Sequence, residues 1–200
     1  MSTPENCATA SLLPRCRVAF DPAGPGCACL NPLLRAGVGI PVPGPLPVRG
    51  LLCDVLGLDP EFVESRVATL FLNGSPVDDL DETQVRPGDT LALAAAMPGI
   101  AGITMRRNSP VKALRADISC TQTAAGSRPG SAGTVTVKLF NFIALEAGPA
   151  LLAQGVIAPA PHLAQALRNC ASQVLRLTLD RKPATPADLH GDVLLVATAG

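Results

Sequence analysis

Residues Val67–Ala95, VATLFLNGSPVDDLDETQVRPGDTLALAA, decide how the rest of the chain is read. Ala68, Leu70 and Leu72 alternate with Val67, Thr69 and Phe71, the period of two expected of a half-buried strand. Asn73-Gly74 follows, and both residue types accept the positive φ angles of a primed hairpin turn. An acidic loop with Asp78, Asp79, Asp81 and Glu82 leads to a Gly88-Asp89 turn and a closing strand with Leu91 and Leu93 inward. If Leu70 and Leu72 face a core, Phe71 faces away from it.

The same plan is written again at the end of the chain, VLRLTLDRKPATPADLHGDVLLVA (Val174–Ala197), with a shorter loop. Leu175, Leu177 and Leu179 repeat Ala68, Leu70 and Leu72. Gly191-Asp192 repeats Gly88-Asp89, and Leu194 with Val196 repeats Leu91 with Leu93. Upstream, Cys16, Val18 and Phe20 alternate as Val135, Val137 and Leu139 do. Leu33-Leu34 before Gly37-Val38 matches Leu151-Leu152 before Gly155-Val156. The stripe Val48, Leu51, Leu52, Val55, opened by Pro47, predicts a helix ending near Gly57; Leu163, Ala166, Leu167 and Cys170, opened by Pro161, predict its counterpart. Prolines 41, 43, 45 and 47 restrict any strand between these features to an edge. A shared order and a shared inside/outside pattern argue for internal duplication. The expected organisation is a lead-in at 1–14, a first domain at 15–97, a basic Gly/Ser-rich linker at 98–133 and a second domain at 134–200.

Composition excludes several classes of partner. The formal net charge is zero, so no global field draws the chain to nucleic acid or an anionic membrane. Five Phe with no Trp or Tyr argue against a base-stacking platform. The N-terminus lacks the basic start and apolar core of a secretory signal, and the longest apolar run, Leu91–Ile103, is broken by Pro98 and falls short of the roughly 20 residues that span a bilayer. Seven irregularly spaced cysteines fit reduced thiols. A cytoplasmic location is expected.

Strand, connection, edge strand, helix, strand, loop, Gly-Asp turn, strand is the order of a β-grasp (ubiquitin-like) domain. At Val135–Leu145, VTVKLFNFIAL, and at LFLNGSPVDD…VRPGDTLALAAAMPG, the chain resembles the small sulfur carriers of thiamine and molybdopterin biosynthesis and the related TGS domains. The resemblance implies an α+β protein of two tandem β-grasp domains, each a mixed sheet with one main helix. It implies a non-catalytic adaptor that works through protein contacts, with an E1-like activating enzyme or a biosynthetic enzyme as partner and no cofactor. Sulfur carriers act through a free Gly-Gly carboxylate. Here the first copy runs on through Gly99 and the second ends Thr198-Ala199-Gly200, so Gly200 is the one candidate carrier terminus. A genuine carrier activated at Gly200 is the alternative, and a small-ligand regulator using the basic linker is another.

The remaining candidates come from the residues themselves. Exposed Phe71, Val193 and Leu195 would make sheet backs apolar enough to need cover, either from the other half of the chain or from a partner protein. Arg106, Arg107, Lys112 and Arg115 could dock an anionic ligand or acidic partner, or fold back on the acidic Asp54–Asp89 segment. Cys27 and Cys29 form a C-x-C pair that could hold a soft metal if Cys16 or Cys53 came close, but no set of four ligands is spelled out. His162 and His190 have no Ser, Cys or Asp set around them that suggests a triad. No enzyme is expected.

Overall fold

The alternation in Arg15–Phe20 yields strand β1, with Cys16, Val18 and Phe20 buried, in a computed structural model that describes residues 12–21, 23–24, 26–96, 99–107, 109–111 and 131–199. A 3-10 turn (Gly26–Leu30) leads to helix α1 (Asn31–Ala36), which ends at Gly37 with φ 118°, a conformation that favours glycine. Strands β2 (Val38–Val42) and β3 (Leu46–Pro47) follow. Helix α2 begins as an α-turn at Val48–Gly50 and continues as a π-turn at Leu51–Val55. The π-turn alters the expected stripe. The Leu56 amide donates to the Leu51 carbonyl, five residues back, at 2.9 Å, so Leu56 enters the core beside Val48, Leu51 and Leu52 while Val55 is only half-buried.

Helix α3 (Pro60–Arg66) goes beyond the sequence expectation, although its start is spelled out. The Asp59 carboxylate accepts from the Glu61 and Phe62 amides at 2.8 and 3.2 Å, and Pro60 occupies the first turn. Strands β4 (Thr69–Leu72) and β5 (Ser75–Pro76) close around Asn73 and Gly74 at φ 51° and 84°, the expected primed hairpin. Then come β6 (Gln84–Val85), β7 (Thr90–Ala94), helix α4 (Gly99–Met105), β8 (Gly133–Leu139) and helix α5 (Asn141–Gln154). The chain ends with β9 (Val156–Pro159), helix α6 (Ala160–Asn169), β10 (Val174–Leu179), β11 (Lys182–Pro183) and β12 (Asp192–Ala199). It is a mixed α+β protein. Among the described residues no helix is long and apolar enough to cross a membrane.

The chain forms two compact units, one of residues 1–41 with 144–200 and one of residues 42–143. These boundaries cut across the expected domains 15–97 and 134–200, and strand pairing is the reason. In unit 1, β1 lies parallel to β12 and antiparallel to β10, both from the second copy. In unit 2, β8 from the second copy lies parallel to β7 of the first. Each unit therefore takes a strand from the other half of the sequence. Unit 2 carries the strand order β8-β7-β4-β5 and a separate β3-β6 pair; unit 1 carries β11-β10-β1-β12-β9-β2.

In unit 1 strand β1 sets which side of β12 meets the core. Leu195 is in register with Cys16 and Ala197 with Val18, and all four are buried. Val193 and Leu195 are each 0 % exposed, which corrects the expectation that they form a partner surface. Val196, expected inward, is half-buried. The expected inward Leu175 is displaced as well. Ala19 is opposite Arg176 and Phe20 is opposite Val174, so Leu175 is the extra residue of a bulge and is 62 % exposed. In unit 2, Leu70, Leu72, Leu91, Leu93, Val135, Val137 and Leu139 are buried, as their alternation predicts. Each fully buried Leu contributes about 1.5–3 kcal/mol relative to an exposed one.

Candidate functional site

Within unit 2, pairing brings one residue from each of three strands into a row. Phe71 of β4 is opposite Ala92 of β7, and Ala92 is in register with Lys138 of β8. Alternate strand residues share a face, so Thr90 and Ala94 join Ala92 on this side and Phe140 follows Lys138. With Gly74 and Asn141 these residues line a cavity of about 410 Å³. Its shape follows from side-chain size. The middle strand presents Thr90, Ala92 and Ala94, all small, between Phe71 on one flank and Lys138 with Phe140 on the other, which makes a trough. Of the five Phe in the chain, two line it, and Phe142 just beyond is 66 % exposed.

One end of the trough is held by a link between two turns. The Asn73 side-chain amide donates to Asp89 Oδ1 at 2.8 Å, and the Thr90 amide donates to Asn73 Oδ1 at 2.8 Å. Asp89 Oδ2 accepts from the Arg86 amide at 2.7 Å. Both turns are legible in sequence; their mutual hydrogen bonds are not. Across the trough, the Phe140 amide donates to the Leu93 carbonyl at 2.9 Å, and Asn141, at φ 52°, turns the chain out of β8 into α5. Lys138 is the one charged residue in the lining, and it pairs with no carboxylate among the described residues. The trough can therefore take an apolar group with an anion beside it.

Of the residues singled out in sequence, Phe71 lies in the trough, whereas Val193 and Leu195 lie in the core of unit 1. Arg106 is exposed after α4. Arg107 is 8 % exposed; its Nη2 donates to Glu64 Oε2 at 2.9 Å and to the Val63 carbonyl at 3.2 Å, which corrects its assignment as a ligand contact. Its guanidinium is committed within the fold, and its backbone amide donates to the Ala68 carbonyl at 2.8 Å. The segment has folded back on the acidic face at this point. Arg49 completes the network, donating to Glu64 at 2.9 Å and Asp81 at 2.6 Å. The Arg49 hydrogen bond, opposed by burial and reinforced by the Arg107 charge, holds the Glu64 carboxyl below its ordinary range. In the acidic loop, Asp79 accepts from the Glu82 and Asp81 amides, which lowers its pKa. Lys112, Arg115 and Gly200 lie outside the described residues, as do residues 1–11 of the lead-in and most of the basic linker.

Cys27 is buried and Cys29 half-buried. Among the described residues no group of three or more His, Cys, Asp and Glu is placed to hold a metal ion. Burial raises the pKa of Cys27 and pushes Cys16 up to about 12, so the latter is a small core hydrophobe rather than a nucleophile. Lys138, Phe140, Ala92 and Ala94 are the site residues that sequence reasoning missed. The alternation of β8 signals that Lys138 points away from the core, but nothing in it signals a neighbour in β7. The chain matches no family model, no curated protein and no solved structure.

Proposed function

We propose that this protein is a non-catalytic binding module of the β-grasp (ubiquitin-like) type, akin to sulfur carriers and TGS domains, which receives another protein on the open sheet face of unit 2. The β-grasp reading is supported by the parallel pairing of a first strand with a last strand, β8 with β7, followed in order by the β4–β5 hairpin. The observation that carries the binding role is the trough. It is walled by Phe71 and Phe140, floored by Ala92 and Ala94, and marked by the single cation Lys138. Its volume lies within the roughly 300–1,000 Å³ of ordinary binding clefts. An apolar side chain of a partner protein fills it, and an Asp or Glu next to that side chain meets Lys138. An activating or biosynthetic enzyme that handles a ubiquitin-like module is the class of partner expected.

Selection of short linear peptides on the intact chain tests this. The recovered peptides should join a bulky apolar residue to a neighbouring Asp or Glu. Ala92→Trp, which fills the trough, should weaken them at least about tenfold, the equivalent of about 1.4 kcal/mol. Lys138→Glu should cost about two- to tenfold, and replacing the peptide carboxylate by lysine should restore the loss. Peptides that bind Ala92→Trp as tightly as the parent chain would remove the trough from the account. A selection that enriches no peptide would remove the protein partner from the account.

A further inference from the structure

We propose that Cys29 and Cys170, which lie in different halves of the sequence, form a dithiol site in unit 1 that a disulfide oxidant closes to an intramolecular disulfide. The 3-10 turn Gly26–Leu30 packs on helix α6, and Cys170 is the residue that caps the C-terminus of α6. Cys170 is 4 % exposed and Cys29 half-buried. The Cys170 thiol donates to the Ala166 carbonyl at 3.2 Å and is near enough to Cys29 to act on its thiol. A pair carried on two packed elements has already met part of the ordering cost of a cross-link. Of the other described cysteines, Cys27 shares the turn and also acts on the Cys29 thiol, Cys16 lies on β1, and Cys53 is in unit 2.

The difference in exposure sets the order of events. The Cys29 thiolate attacks one sulfur of oxidised glutathione, releasing one glutathione thiolate and leaving a mixed disulfide at Cys29. The Cys170 thiolate then attacks the Cys29 sulfur and expels the second glutathione. In total the protein loses two hydrogens and two electrons, and the oxidant gains both as two glutathione thiols. Burial first, and the Cys170 contact second, favour the neutral thiol at Cys29. Thiolate is therefore scarce at neutral pH, and closure is slow there and faster under alkaline conditions. The site is a slow, stable cross-link rather than a rapid sensor. It ties the segment that carries β1 to the second copy, so it holds that strand pairing in place.

Incubating the full chain, without denaturant, with oxidised glutathione at mildly alkaline pH provides the test. The expected product has the parent mass less two hydrogens, two fewer alkylatable thiols, a Cys29–Cys170 linked peptide, and a higher urea midpoint for unit 1. Cys170→Ser should stop at the glutathione adduct on Cys29, and Cys29→Ser should give neither adduct nor cross-link at these positions, both with an unchanged circular dichroism spectrum. A linkage through other cysteines, a reaction only after denaturation, or no reaction at all would overturn the proposal. Because none of these readouts involves the trough, the result is independent of partner binding.

Discussion

Replacing Leu195 by alanine should destabilise unit 1 by about 2–5 kcal/mol, the range for truncating a fully buried leucine. The side chain is 0 % exposed on β12, in register with the equally buried Cys16 of β1. Truncation removes its transfer energy and leaves a cavity between strands that pairing holds in place. The urea midpoint should fall with little change in slope, because the surface exposed on unfolding is nearly the same. Leu175→Ala is the internal control. Leu175 is a leucine of β10 in the same unit, but it is set out by the bulge at 62 % exposure, so its loss should stay within about 0.5 kcal/mol. If the two variants behave alike, the side assignment of β12 is wrong and Leu195 returns to the surface.

Val18→Asp should have a still larger effect, and its location matters more than its size. Val18 is 2 % exposed and lies between Leu177 of β10 and Ala197 of β12. An unpaired carboxylate there has no partner and no water, and the cost should exceed about 4 kcal/mol. The damage should fall on unit 1. Amide exchange should accelerate throughout β10 and β12 while β4 and β7 keep their protection. Val137→Asp should do the reverse, because Val137 is 0 % exposed and in register with Leu91 of β7. Faster exchange in β7 on Val18→Asp, with β12 unaffected, would mean that each copy closes on its own first strand.

Local features were legible because local chemistry dictates them. Asn73-Gly74 turns where its φ preferences say it should. Gly37 and Gly155, read as equivalent, sit at φ 118° and 106° after helices α1 and α5 and before β2 and β9. The stripe of α6 buries Leu163, Ala166, Leu167 and Cys170 as its spacing predicts. What was not legible is choice of partner. Cys16-Val18-Phe20 and Val135-Val137-Leu139 have the same alternation, and alternation specifies the buried face of a strand without saying which strand lies beside it. Val193 to Val196 is a continuous apolar run, so it holds no parity from which to tell core from surface. The turn at Asp180-Arg181 takes positive φ, 48° and 70°, without a glycine to signal it. The trough was hidden for the same reason as the strand pairing between the halves. Phe71 and Ala92 come from the first copy and Lys138 and Phe140 from the second, and only the β7–β8 pairing brings them together.

The pairing of β1 with β12 and of β8 with β7 is thus the claim on which the trough depends, and cross-strand nuclear Overhauser contacts in the intact chain test it most directly. The structure predicts backbone contacts of Arg17 and Val18 with Val196 and Ala197, and of Leu91 and Ala92 with Val137 and Lys138. Contacts from residues 15–20 to residues 90–94, together with contacts from 133–139 to 192–199, would contradict it.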